Sequence, residues 1–254
     1  MRRTLHASLL ALSAMVAAPA QADMFKPSKT DQVKLGVRAS AEIKKKEKVL
    51  PDSDQRTRLL REIAGKLLSS SPDGPKEPWQ YSFDVIDNKQ VNAFALPGGP
   101  IYFYTGLIDK FKTEDQMAAV LAHELVHIRK EHWARAYGDQ QKRALGLSIV
   151  LILLNANKTF TDLASISNDL LVTLPFARRD ETQSDDIGFD MMIKAGYNPQ
   201  GMVEVFQILR DAAKGGKPPE FISTHPDDKN RIKRIEDKIT KLNRNFSAQR
   251  PLPW

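Results

Sequence analysis

His123-Glu124-Leu125-Val126-His127 forms an H-E-x-x-H sequence inside a long segment with helical patterning. A helix turns by about 100° per residue, so His123 and His127 would stand one turn apart on nearly the same face. Two neutral imidazoles placed in this way can fill two positions of a tetrahedral zinc ion. Glu124 lies beside that face and can serve as a general base toward water. The motif therefore requires a third protein ligand from another part of the chain.

The helix that carries the motif has a well-defined predicted start. Thr113 stands at the N-cap and Gln116 at the capping-box position, and acidic residues occupy the first turn, where the helix dipole favours negative charge. The pattern predicts that the helix runs to about Tyr137 and that Gly138 ends it. On one continuous helix His132 would be turned about 140° from the second histidine of the motif, so it is predicted at the surface, outside the metal shell.

Before this helix the apolar residues alternate with polar ones, which is typical of strands. The alternation predicts strands at residues 79–85, 91–95 and 101–104, with Gly98-Gly99 and flanking prolines interrupting the chain before the third strand. Because these strands are short, we expect at least one open sheet edge. The predicted fold class is α+β and mostly helical, with this small β-sheet beside the H-E-x-x-H helix.

Further helices are predicted on both sides of this unit, at residues 31–49, 55–68, 178–194, 199–213 and 227–243. A strongly apolar run lies at residues 144–156. It is shorter than the roughly 20 residues that a membrane-spanning helix needs. A buried or lid-forming helix is the favoured interpretation, and a segment that dips into a membrane is the alternative.

The best candidate for the third ligand is a carboxylate. Glu181 begins an E-x-x-x-D sequence in a predicted helix and Asp185 ends it, a spacing that places both carboxylates on one face. Glu181 can bind the metal while Asp185 accepts the free N–H of a liganding imidazole, which we assign to His123. Charged pairs with this spacing are usually solvated helix faces, so the pattern gains its weight from the H-E-x-x-H motif. His225 is the alternative third ligand.

Residues 1–22 are typical of a secretory signal peptide. A basic start precedes an apolar stretch at residues 5–18, and Ala20-Gln21-Ala22 offers a small-x-small cleavage site. An uncleaved anchor is the alternative, but the apolar stretch is shorter than the roughly 20 residues that span a bilayer. We therefore expect an exported, periplasmic protein.

Composition excludes several classes of protein. The chain has 38 Lys and Arg against 31 Asp and Glu, so removing Arg2 and Arg3 with the signal peptide lowers the net charge from +7 to +5. No nucleic-acid-binding module accompanies the basic residues, which we interpret as solvated helix faces, with weak attraction to anionic membranes as a minor alternative. The chain has no cysteine, which excludes disulfides, thiolate ligands and a lipid anchor on an N-terminal cysteine.

Several motifs, in a fixed order, resemble one protein family. They are N-A-F-A-L-P-G-G at 92–99, Y-T-G-L at 104–107, H-E-x-x-H at 123–127, E-x-x-x-D at 181–185 and S-T-H-P at 223–226. The chain is similar to the zinc metallopeptidases that include the heat-shock protease HtpX and the CAAX prenyl endopeptidase, and within them to periplasmic outer-membrane quality-control proteases of the BepA type. Family members more often have alanine at the position of Ser184. No helical-repeat domain follows Asn243, so a BepA-like two-domain architecture is not expected.

The resemblance implies a zincin-like metalloprotease with one zinc ion per chain, held by His123, His127 and Glu181. Glu124 would take the proton of the attacking water and pass it to the leaving amine. His225 resembles a histidine that stabilises the oxyanion, or that occupies the open metal position in the resting enzyme. The alternative for His225 is a purely structural role in capping the last helix.

The resemblance also implies how substrate binds. Asn92, Ala93, Phe94 and Ala95 would form an edge strand that pairs with an extended peptide through main-chain hydrogen bonds, and the glycine pair after them would let the backbone approach closely. We expect a zinc endopeptidase that cleaves misfolded or stalled envelope proteins. Its partners would be unfolded or misassembled proteins, including outer-membrane proteins or their assembly machinery, with no nucleic acid and at most peripheral membrane contact.

Two other functions are considered. A periplasmic chaperone or assembly factor with a latent zinc-protease site is the main alternative, and a purely structural zinc protein is disfavoured because three protein ligands beside a glutamate leave a coordination position open. The predicted organisation is a signal peptide at 1–22, an N-terminal helical segment at 23–78, a zinc metallopeptidase domain at 79–245 and an irregular tail at 246–254.

Overall fold

A computed structural model of the protein describes residues 25–71, 78–152, 173–214, 218–226 and 230–254, and for residues 145–152 only the backbone. The predicted signal peptide at 1–22 and the last residues of the apolar run, 153–156, lie outside the described residues.

The described elements confirm the predicted α+β, mostly helical class. In chain order they are α1 (Lys29–Lys46), α2 (Gln55–Ser69), β1 (Ser82–Ile86), β2 (Ala93–Ala95), β3 (Pro100–Tyr104), α3 (Thr105–Ile108), α4 (Glu114–Arg129), α5 (His132–Ile152), α6 (Arg178–Lys194), α7 (Gln200–Ala213), α8 (Glu220–Thr224) and α9 (Arg231–Leu242). Among the helices described, none is both long and apolar enough to cross a bilayer.

The small sheet lies directly before the motif helix, as predicted. Its order is β1-β3-β2, with β1 parallel and β2 antiparallel to the central β3, so β2 is an edge strand. The first strand begins at Ser82 rather than at residue 79, because the chain before it runs beside the glycine loop, where Gln80 N–H donates to the Gly98 carbonyl at 2.8 Å.

The two faces of the sheet pack against different helices. Ala93 and Phe103 belong to the main core, which also contains the apolar residues of α2, α4, α6 and α7. Phe94 and Tyr102 face the other way, into a second cluster with α1 and with Trp133 of α5. Because α2 shares the main core with α4, residues 55–69 pack together with the region predicted as the metallopeptidase domain.

Helix α1 packs closely against the loop at residues 97–99. A Cβ on Gly36 would overlap the carbonyl oxygen of Pro97, and a Cβ on Gly98 would overlap the backbone of Val33. Gly98 has φ +85, in the left-handed region that favours glycine. The absence of a side chain at Gly98 therefore allows the backbone of α1 to pack against this loop.

The motif helix is shorter than predicted. The capping box between Thr113 and Gln116 is present, but the helix ends at Arg129, and α5 begins at His132. Glu131 breaks the continuity with φ 54, and its carboxylate accepts a 2.7 Å hydrogen bond from the buried Gln32 side chain. The predicted end at Gly138 is wrong, because that residue lies inside α5.

The C-terminal tail has no regular structure, and it packs along the start of α4. The Arg250 N–H donates to the Asp115 carboxylate at 2.8 Å, and the Leu252 N–H donates to the Lys112 carbonyl at 3.1 Å. The Glu114 N–H donates to the Arg250 carbonyl at 2.8 Å. The tail thus satisfies backbone groups at the N-terminus of the motif helix that would otherwise lack partners.

Candidate metal centre

Helices α4 and α6 bring the two predicted halves of the site together. His123, Glu124 and His127 project from α4, and all are buried. The closeness of the helices depends on Gly188 of α6, whose position leaves only 3.3 Å between a hypothetical Cβ and the backbone nitrogen of His123. This approach places Glu181, about two turns before the glycine, against the histidines.

The three predicted ligands converge. His127 Nε2 lies 2.9 Å from His123 Nε2, and the Glu181 carboxylate lies 3.4 Å from His127 Nε2 and 3.5 Å from His123 Nε2. Ligand atoms around a tetrahedral ion with bonds of about 2.0–2.2 Å lie roughly 3.3–3.6 Å apart. The two distances from the carboxylate match this spacing, and the 2.9 Å between the imidazole nitrogens is shorter, so a small separation of the two rings would seat a metal ion of the zinc type.

His225 is the fourth member of the group. It follows α8, stacks on Phe221, and places Nδ1 3.3 Å from His123 Nε2 and 3.2 Å from Glu181 Oε1. The possible ligand atoms of His123, His127, Glu181 and His225 all lie within 4.8 Å of one another. The alternative that His225 caps the last helix is wrong, because Asn230 occupies the N-cap of α9.

Glu124 stands beside this group without belonging to it. Its side chain is 0% exposed, and neither carboxylate oxygen makes a hydrogen bond of good geometry with the described residues, although the backbone of Ala95 is close enough to lower its pKa. His225 Nε2 lies 3.3 Å from Glu124 Oε1. Burial raises the pKa of Glu124 above its usual value, which brings it closer to the range in which a carboxylate is an effective general base.

Asp185 supports His123 from behind, as predicted. Its carboxylate lies 3.1 Å from His123 Nδ1 and accepts hydrogen bonds from Arg231 at 2.7 and 2.8 Å. Burial alone would raise the pKa of Asp185, but the contacts with His123 and Arg231 hold it below the usual value. A carboxylate that accepts the Nδ1–H of His123 leaves Nε2 free to bind a metal.

His132 contradicts its predicted surface position. It is 0% exposed, and its Nδ1 lies 2.9 Å from His127 Nδ1. The prediction assumed one continuous helix, whereas the break at Glu131 turns the start of α5 back toward the site. No glycine or proline at 130–131 signals this break in the sequence.

The hydrogen bonds of His132 assign the protons on both imidazoles. Its Nε2 lies 2.9 Å from Gln183 Oε1, which can only accept, so Nε2 carries the proton and Nδ1 is an acceptor. Burial lowers the pKa of His132 to about 4, which keeps the ring neutral near pH 7. His127 Nδ1 then donates to His132, and the lone pair of His127 Nε2 points to the metal position. Ser184 Oγ lies 3.3 Å from Nδ1 of the same ring.

The predicted substrate strand lies at the sheet edge. The Leu96 N–H donates to the Pro100 carbonyl, and the Tyr104 N–H donates to the Asn92 carbonyl. In this antiparallel register the N–H and C=O groups of Ala93 and Ala95 therefore point away from β3. Asn92, Phe94 and the two alanines therefore stand where the prediction placed them. Whether a peptide pairs with the edge remains a prediction.

Phe176 is a part of the site that the sequence did not indicate. Its ring centroid lies 4.1 Å from that of His127 and 5.3 Å from that of His225. Its N–H donates to the Thr224 carbonyl at 3.1 Å, which joins the segment before α6 to the end of α8. Both segments lie over the cluster, so the metal position is enclosed in this conformation.

Comparisons with known proteins agree with this geometry. A profile of Peptidase family M48 matches residues 54–239. The beta-barrel assembly-enhancing protease of Escherichia coli (strain K12) is 30% identical over 198 residues, which cover 72% of this chain and 40% of that protein. The mitochondrial metalloendopeptidase OMA1 is 36% identical over 163 residues in Schizosaccharomyces pombe (62% of this chain, 46% of that protein). In Saccharomyces cerevisiae it is 32% identical over 179 residues (67% and 49%). The chain spans less than half the length of these relatives.

Proposed function

Since the chain belongs to Peptidase family M48, we propose that it is a zinc-dependent endopeptidase that cleaves unfolded or misassembled proteins. The observation that carries the proposal is the buried group of His123, His127 and Glu181, whose ligand atoms lie within 4.8 Å of one another, with the buried carboxylate of Glu124 beside it. A structural metal site would not need a buried carboxylate that lacks a good hydrogen bond at its margin.

Each residue of the site has its own role in the proposed hydrolysis. Zinc, when bound by His123, His127 and Glu181, supplies a Lewis acid that lowers the pKa of water toward ~7 and polarises the scissile carbonyl. Glu124 takes the proton of the attacking water and delivers it to the leaving amine. Asp185 and His132 keep the two imidazoles oriented with Nε2 toward the metal.

His225 closes the site in this conformation. It supplies a fourth nitrogen at 3.2–3.3 Å from two of the ligand atoms, whereas a catalytic zinc keeps one position open for water or substrate. We infer that His225 withdraws before substrate binds and that its ring then faces the developing oxyanion. His225→Ala should retain zinc; faster cleavage would indicate that release of His225 limits the rate, and slower cleavage that oxyanion stabilisation dominates.

Main-chain pairing explains how one site can accept many unfolded proteins. The outward N–H and C=O groups of Ala93 and Ala95 offer hydrogen bonds to an extended peptide of any sequence. Most backbone groups of a folded protein are already paired within its helices and sheets, so the requirement favours unfolded or stalled chains.

We further propose that the protein acts in the periplasm on envelope proteins. The signal-peptide pattern of residues 1–22 supports export. The names of the bacterial relatives refer to beta-barrel assembly, which supports outer-membrane proteins or their assembly machinery as partners. Fractionation and identification of proteins trapped by an inactive variant test both points.

The proposed activity is tested with Glu124→Gln and unfolded casein. The variant should hold one zinc per chain, as the wild type should, and should lose cleavage, because only the general base is removed. Glu236→Gln, which removes an exposed carboxylate on α9, is the matched control and should cleave normally. Persistent cleavage by zinc-loaded Glu124→Gln would refute the assignment.

A further inference from the structure

A cleft opens on the sheet face that is turned away from α4. Its volume is about 240 Å³, and it lies between the C-terminal end of α1, the sheet and the start of α8. Phe94, Tyr104 and Ile43 give it apolar walls, and Glu47 and Glu220 line it as well. Its α1 wall precedes residues 54–239, the region matched by the family profile.

The strand register places this cleft beside the substrate edge. Ile86 lies opposite Tyr104 in the parallel pair, and Tyr104 N–H donates to the Asn92 carbonyl at 3.0 Å, so these residues form one row across the sheet. All of them line the cleft. Successive side chains of a strand point to opposite faces, so a peptide added beside β2 would turn every second side chain toward the cleft.

Asn92 gives the cleft a buried acceptor. The residue is 7% exposed, and its Oδ1 has no hydrogen-bond partner among the described residues. Its main-chain carbonyl is already used by Tyr104, so the side chain is the free group. A buried carbonyl oxygen without a donor is unfavourable, and an N–H group entering the cleft would satisfy it.

Four charged side chains line the cleft, namely Glu42, Lys46, Glu47 and Glu220, so its net charge is negative. Glu42 pairs with Lys45 at 2.8 Å, and Lys46 lies close to the same carboxylate. Glu47 and Glu220 form no ion pair with any described residue. Both line the same cleft as Tyr104, and after burial their charges raise the pKa of Tyr104.

We propose that this cleft is a subsite for a lysine or arginine side chain of the substrate, with the cation held between Glu47 and Glu220. The methylene stem would lie against Phe94 and Tyr104, whose rings also attract a cation, and an N–H of the side chain would reach Asn92 Oδ1. The proposal rests on the proposed peptidase function and adds to it a preference for basic residues at one position near the scissile bond.

The test compares matched variants on matched peptides. Cleavage sites in unfolded casein are mapped by mass spectrometry, and quenched peptides are then made with Lys or Met at the enriched position. The wild type should prefer Lys, and Glu47→Gln/Glu220→Gln should lose about tenfold in kcat/KM for the Lys peptide, as expected for two partly exposed ion pairs, with the Met peptide unchanged. Glu62→Gln/Glu236→Gln removes the same charge from exposed helix faces and should retain the preference.

A second readout separates this subsite from the peptidase activity. Binding of two fluorescein-labelled extended peptides that differ only in having Lys or Met at one central position is measured by anisotropy in the Glu124→Gln background, so neither hydrolysis nor a cleavage map is needed. Tighter binding of the Lys peptide that depends on Glu47 and Glu220 would support the subsite even if casein were not cleaved. Equal affinity for both peptides, or a Lys preference that survives Glu47→Gln/Glu220→Gln, would overturn it.

Discussion

Asp185→Asn is the substitution that tests most sharply how the two halves of the site depend on each other. The Asp185 side chain is 0% exposed and accepts from Arg231 at 2.7 and 2.8 Å and from Arg234 at 3.0 Å, while contacting His123 Nδ1 at 3.1 Å. Asparagine keeps the shape but loses the charge, and its NH₂ group would face donors on Arg231 or His123.

The magnitude follows from the burial of the pair. Breaking a buried ion pair by removing one partner costs about 3–5 kcal/mol, because the remaining charge stays desolvated. We expect the free energy of unfolding of the zinc-free protein to fall by that amount. We also expect zinc affinity to fall by about 10–100-fold, which is typical when a carboxylate that orients a liganding histidine is lost.

The assay combines urea unfolding of the zinc-free protein, followed by circular dichroism, with zinc competition against a chromophoric chelator. Asp186→Asn is the control, since its side chain is 41% exposed and pairs with Lys238 at 3.1 Å, a surface contact worth at most about 1 kcal/mol. If the free energies of unfolding of the two variants differ by less than about 1 kcal/mol and their zinc affinities are equal, Asp185 does not couple the two halves of the site.

Three further predictions concern other parts of the structure. Gly98→Ala should lower the free energy of unfolding by more than about 2 kcal/mol, because φ +85 disfavours alanine and the added Cβ would overlap the α1 backbone. Gly65 of α2 has open space around it, so Gly65→Ala should instead stabilise the protein by about 0.5–1 kcal/mol, as measured by thermal unfolding. Asp54→Ala should lower the free energy of unfolding by about 1 kcal/mol, because it removes the N-cap of α2. Arg56 holds the pKa of Asp54 below its usual value. The stabilisation by Asp54 should therefore be complete above a pH of about 4 and be lost as the pH falls through the lowered pKa. His132→Phe should weaken zinc binding by about 10–100-fold in chelator competition with little change in helix content, and unchanged affinity would show that His127 does not need this partner.

Local signals were sufficient for the parts of the site that lie on single helices. The i, i+4 spacing of His123 and His127 and that of Glu181 and Asp185 fix which side chains share a face, and the capping box fixes where α4 starts. Their meeting was inferred from the chemistry of a zinc site, and the close approach at Gly188 is what the structure adds.

Features that depend on tertiary packing had no local signal. The helix breaks before His132 because Glu131 adopts a left-handed conformation, which its hydrogen bond with the distant Gln32 stabilises. The residues at the break therefore give no sequence signal for it. Phe176 reaches the cluster through a backbone hydrogen bond to Thr224, which sequence spacing cannot reveal. These long-range contacts enclose the metal position.

Zinc at this cluster is proposed to support hydrolysis of peptide bonds with Glu124 as the base. The most direct measurement is a titration of chelator-treated protein with zinc while casein cleavage is followed. We predict that cleavage returns with added zinc and reaches its plateau at one zinc per chain, and that Glu124→Gln binds the same zinc without cleaving. Cleavage that continues in the presence of chelator, or none at any zinc level, would contradict the claim.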